Sequence, residues 1–117
     1  MSDNYILDGK TPVPADLMTW ARWYETADRS VAKSEVGPYR VSTVFLGLNH
    51  EFGGGPPLLF ETIVFGPPND DDVWCERCST WEQAEAMHRD GCTWASRQPS
   101  VSTEETNAML SRAIKKG

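Results

Sequence analysis

The chain has 117 residues, of which 39% are hydrophobic, and a formal net charge of −6. That length supports one domain with a single modest core. The acidity argues against a nucleic-acid backbone or an anionic membrane as the main partner, since both are recognised by a basic face, while permitting a basic protein partner or mimicry of a nucleic acid.

Apolar runs reach only about ten residues and are interrupted by polar groups, well short of the ~20 that a membrane helix needs. Met1-Ser2-Asp3-Asn4 carries neither the basic region nor the apolar core of a signal peptide. A soluble, cytoplasmic protein is therefore expected. Three cysteines without a secretory signal point to reduced thiols rather than a disulfide scaffold. Five tryptophans supply volume to a small core.

Tyr5-Ile6-Leu7 reads as a short strand ending in the tight turn Asp8-Gly9. Ala15 or Asp16 opens a helix, with Pro14 its last non-helical residue, and the helix ends near Asp28. Leu17, Trp20, Ala21 and Tyr24 fall at helical spacing and predict one buried stripe, broadened by Trp23 and Ala27. Residues 30–36 suit an edge strand, and Gly37-Pro38 turns the chain.

Residues 39–50 are the strongest strand signal. Val41, Thr43 and Phe45 share one face, Val44, Leu46 and Leu48 the other, so this strand is predicted to be central. Residues 51–57, with Gly53-Gly54-Gly55-Pro56-Pro57, form a loop leading into an antiparallel partner strand, 58–66, and then an acidic loop over 67–72. A helix starts at Thr80 through a capping box, either Thr80 with Gln83 or Ser79 with Glu82. It passes Gly91, a weak point, and stops before Pro99. A final amphipathic helix is predicted over 102–116.

The predicted architecture is α+β. A small antiparallel sheet of about three strands, with 39–50 paired to 58–66, has helices packed on one face. The single domain spans 1–97 and a C-terminal helical tail spans 98–117.

Three constellations could carry chemistry. Cys75-x-x-Cys78, followed by His88-x-x-x-Cys92, offers four zinc-type donors in paired spacings. A helix from Thr80 opposes it: the α-helical rise carries Cys92 roughly 18 Å along, and the two residues back to Cys78 recover at most ~7 Å. Two thiolates on one zinc tolerate about 7 Å between their α-carbons, so an unbroken helix from residue 80 and this site exclude each other. Zinc is thus the one cofactor the spacing could suit, and none is the expectation.

Glu85-x-x-His88 places a carboxylate and an imidazole on one helix face. Joined by His50 and Glu61, it would make the divalent-metal site of a small hydrolase. The third constellation is a contact surface built from Glu51, Phe52, Gly53, Gly54 and Gly55 together with Asp70, Asp71 and Asp72, since loops on a rigid sheet often carry binding. The glycines lack the Lys-Ser/Thr of a phosphate loop, and no nucleophile elbow is present.

Several segments resemble a family of small phage and prophage accessory proteins. They are Tyr5-Ile6-Leu7-Asp8, Trp20-Ala21-Arg22-Trp23-Tyr24-Glu25, Arg29, Val31-Ala32, Val41-Ser42-Thr43-Val44-Phe45-Leu46-Gly47-Leu48-Asn49-His50, Phe52-Gly53-Gly54-Gly55-Pro56, Leu59-Phe60-Glu61-Thr62, and Thr80-Trp81-Glu82-Gln83-Ala84-Glu85 with His88. The resemblance covers about residues 5–90. It implies an accessory protein of a family with no established activity, and a pattern that includes His50 and His88 but not the cysteines. The expected function is therefore binding of a host protein, with inhibition of a host defence system as its specific form. A metal-dependent hydrolase and an assembly subunit are the alternatives.

Overall fold

A computed structural model describes residues 3–99; the predicted helix over 102–116 lies outside the described residues. Strands β1 (Tyr5–Asp8) and β2 (Thr11–Pro14) form an antiparallel hairpin around the turn Gly9-Lys10, one residue later than expected, since Asp8 pairs with Thr11. Helix α1 (Leu17–Thr26) follows, capped by Asp16, whose carboxylate accepts from Thr19 N–H at 2.9 Å. That backbone bond, and a second from the Thr19 hydroxyl, hold the Asp16 carboxyl below its ordinary range.

β3 (Ser30–Val36), β4 (Tyr39–Phe45), β5 (Phe60–Gly66) and β6 (Asp71–Cys78) make a four-stranded antiparallel sheet in chain order, and α2 (Trp81–Ser96) packs on one face of it. The class is α+β, as the sequence implies, with one strand more than expected. Asp71, Asp72, Cys75 and Cys78 belong to strand β6, not to loops. DDVWCERC hides as a strand because it is an edge: none of its eight residues is fully buried on either face to impose alternation, and a register shift opposite Val64 and Phe65 breaks its phase.

The central pairing of β4 with β5 is as predicted, with Val41, Thr43 and Phe45 facing Val64, Thr62 and Phe60. All six are buried at 1% exposure or less. β4 ends at Phe45 rather than running to residue 50, because Gly47 adopts a φ of +78°. There the backbone turns close against α1: the Trp20 indole N–H donates to Gly47 O at 2.9 Å, and a Cβ on Gly47 would stand 3.1 Å from Trp20 and Tyr24.

Two apolar clusters hold the fold. One gathers Phe45, Leu59, Phe60, Ala84 and Met87, with Trp23, Trp81 and Tyr5 packed against it. The other, nearer the C-terminal end of α2, joins Val41, Val64 and Ala95. Each large side chain fully buried contributes about 1.5–3 kcal/mol.

The α1 stripe differs from expectation. Trp20, Trp23 and Tyr24 are half-buried, but Leu17 stays 63% exposed and Ala21 faces solvent. The helix leans on the end of the sheet through its aromatic rings, with Trp23 edge-on to Phe45 at 5.6 Å, so only a narrow stripe is covered. Among the described residues no helix is long and apolar enough to cross a membrane.

Candidate binding surface

The capping box of α2 is formed as predicted: Gln83 N–H donates to the Thr80 hydroxyl at 3.1 Å, and the Gln83 side-chain carbonyl accepts from Thr80 N–H at 3.2 Å. The helix therefore starts directly after Thr80, and this start separates the cysteines. Cys78 packs at the Phe60 end of the core and Cys92 at the Val41–Val64 end. Cys75 and Cys78 stand three residues apart on β6, which turns them to opposite faces of the sheet. Burial raises both the Cys75 and Cys78 thiol pKa values; the nearby Glu61 carboxylate adds to the rise at Cys75. The four residues Cys75, Cys78, His88 and Cys92 are not brought together.

Nor do His50, Glu61, Glu85 and His88 converge. Glu61 lies on the sheet face away from α2, opposite Arg77, whose Nε donates to its carboxylate at 2.8 Å. His88 is buried on the α2 side, Glu85 is exposed on α2, and His50 sits in the segment before β5. Among the described residues no three His, Cys, Asp or Glu side chains assemble into a group able to hold a metal ion.

What His88 does instead is visible in its partners. Nε2 meets the Ser34 hydroxyl at 2.8 Å and Nδ1 meets the Thr43 hydroxyl at 2.7 Å; Thr43 in turn bonds the Thr62 hydroxyl. In either neutral tautomer each ring nitrogen and each hydroxyl finds a complementary role, so the chain closes without a charge. Burial lowers the His88 pKa and favours that neutral form.

The Ser34–His88 contact has the length of a nucleophile–base pair, but the third member is a neutral threonine rather than a carboxylate, and Ser34 faces α2 with Val41. The arrangement ties α2 to β3, β4 and β5. Thr43 and Thr62, adjacent polar residues on an otherwise apolar face of two central strands, are the signal in the sequence that a polar partner sits above them.

The loop between β4 and β5 is built to present a side chain. Asn49 Oδ1 accepts from Glu51 N–H at 2.8 Å and from Leu58 N–H at 3.1 Å, pinching the loop shut at its base. The Glu51 carboxylate then accepts from Gly53 N–H, ordering the tip. Phe52 is held outward by this scaffold and is 92% exposed. The glycines do not surround a phosphate-sized nest opening a helix; they carry the chain past Phe52.

Asp70, Asp71 and Asp72 do not share this surface. They stand at the other end of β5, seven residues away at about 3.3 Å per residue, or ~20 Å. Asp70 is engaged locally, accepting from Arg40 at 2.8 Å. The single contact surface expected from the two loops is thus two separate regions, and the one with an aromatic anchor is Glu51–Gly55.

Comparison with protein-family models, with curated proteins and with solved structures finds no match to this chain.

Proposed function

We propose that this chain is a non-catalytic binding protein of the phage accessory type, which engages a host protein through the loop of residues 49–58. The observation that carries the reading is Phe52, an aromatic side chain almost wholly in solvent on a loop whose base is pinned by Asn49. Exposing a phenylalanine forgoes about 1.5–3 kcal/mol of burial. A loop ordered beforehand around it spares the ordering cost that binding otherwise incurs. Exposed rigid aromatic residues are the usual anchors of protein interfaces. Support for a host protein as the partner, and for a component of a defence system in particular, comes from the resemblance alone. The net charge of −6 favours a partner with a basic face.

The test is affinity capture from host lysate with the wild-type chain and with Phe52→Ala, both shown to melt at the same temperature, repeated across a salt series. The expected result is a discrete host protein retained by the wild type and lost from the variant, with retention weakening as salt rises. Identical captured sets from the two chains would remove the loop as the binding surface.

A further inference from the structure

Beside the foot of the Phe52 loop, an open groove of about 410 Å³ runs between the outer edge of β6 and α2. Leu58, Cys78, Ala86 and Met87 give it an apolar lining. Glu76 on β6 and Asp90 on α2 stand on its two sides, both exposed, while the one cation of the lining, Arg77, is engaged by the Glu61 carboxylate.

Among the described residues the ion pairs are Arg40–Asp70 and Arg77–Glu61, so neither Glu76 nor Asp90 has a cationic partner. Among the described residues β6 is the last strand of the sheet, with no strand along its outer side. Its irregularity lies toward Asp72, whereas Cys75–Cys78 pairs regularly with Phe60–Ile63, leaving that stretch of edge straight beside the groove.

We infer that this groove binds an extended, basic peptide segment of a partner protein, which adds as a strand to the Cys75–Cys78 edge of β6. Edge addition between a strand and a helix supplies main-chain hydrogen bonds for affinity, and alternate side chains enter the groove for specificity. An apolar side chain rests on Ala86 and Met87, and a lysine or arginine two residues away on either side of it, on the same strand face, meets Glu76 and Asp90. Met87 suits this role, because its flexible thioether adapts to differently shaped side chains.

The inference deepens the binding reading, since Leu58 belongs to both the groove and the pinned loop. It is tested with free peptides, so it can fail while Phe52-dependent capture stands, and the reverse.

The probe is a seven-residue peptide, Thr-Lys-Thr-Val-Thr-Lys-Thr, whose valine and two lysines share one strand face, titrated into the full chain while backbone amide shifts are followed. Controls are the same peptide with glutamate for lysine, and one with proline at a central position, which cannot complete a strand. The expected result is saturable shifts confined to residues 75–79 and 83–90. They should be absent with the glutamate peptide and at least ~10-fold weaker both with the proline peptide and in Glu76→Lys/Asp90→Lys. The neutral variant Glu76→Gln/Asp90→Asn should fall between, which guards against a folding defect in the charge-reversed chain. Equal binding of the lysine and glutamate peptides, equal binding of the proline peptide, or undiminished binding by both variants would overturn the proposal.

Discussion

His88 of α2 and Thr43 of β4 meet through a 2.7 Å hydrogen bond at the centre of the helix–sheet interface, and both side chains are buried. Thr43 serves two partners there, the imidazole and the Thr62 hydroxyl, whereas Thr62 serves one. The two threonines should therefore differ on substitution. Thr43→Val strands a ring nitrogen and a hydroxyl and is expected to cost about 2–3 kcal/mol; Thr62→Val leaves His88 fully paired and should cost about 1 kcal/mol. Urea denaturation of the two variants checks the order, and a larger loss for Thr62→Val would contradict it.

The same histidine sets a pH dependence. Burial depresses its folded-state pKa below the ordinary 6.5, so the unfolded chain binds the proton first as pH falls. The stability due to neutral His88 is complete above pH 6.5 and declines as pH drops from there toward the lower folded-state value. The urea midpoint should fall as pH drops below 6.5 toward that depressed value, and this part of the slope should shrink in His88→Gln. A wild-type midpoint that rises on acidification through this window would refute the assignment.

The elements whose burial is one-sided and complete are those the sequence shows clearly. β4 and β5 alternate because Phe45, Phe60, Val41 and Val64 must all face α2, and the capping box at Thr80 marks the helix start to the residue. β6 is not legible, because an edge strand with Asp71, Asp72, Glu76 and Arg77 in solvent has no such constraint. Misreading it also misplaces the site. Treated as loop, Cys75 and Cys78 seem free to approach a common ligand; on a strand, the pleat holds them apart. Phe52 was recognisable as a loop residue, but its display depends on Asn49 reaching across to Leu58, a contact that no local pattern encodes.

Gly91 reads as a weak point in a helix, yet it is where α2 comes nearest the sheet. A Cβ there would stand 3.2 Å from Thr62 Cγ2, Val41 Cγ1 and Trp74 Cζ3. Two of those atoms belong to β-branched side chains that cannot swing away. Gly91→Ala gains up to about 1 kcal/mol in helix propensity but incurs about 1–3 kcal/mol of overpacking. The net expectation is a loss near 1 kcal/mol, read from the thermal midpoint; a gain would show that the helix can lift from the sheet without penalty.

The cysteine arrangement makes a prediction about metal. Zinc stabilises a fold when its ligands are already gathered or when binding gathers them, and here a strand pleat and a formed helix keep Cys75, Cys78 and Cys92 apart. Prolonged treatment with a strong chelator, followed by zinc repletion, should leave the melting temperature within ~1 °C of the untreated chain, since a ligand that binds only the folded state must raise it. The thiols give an independent readout. Cys75 is exposed but has a raised pKa, so at neutral pH it should alkylate no faster than a free cysteine, and zinc should not protect it. Protection of Cys75, Cys78 and Cys92 together by one equivalent of zinc would mean that β6 and the start of α2 rearrange in solution, and the helix-start argument against a four-ligand site would fall with it.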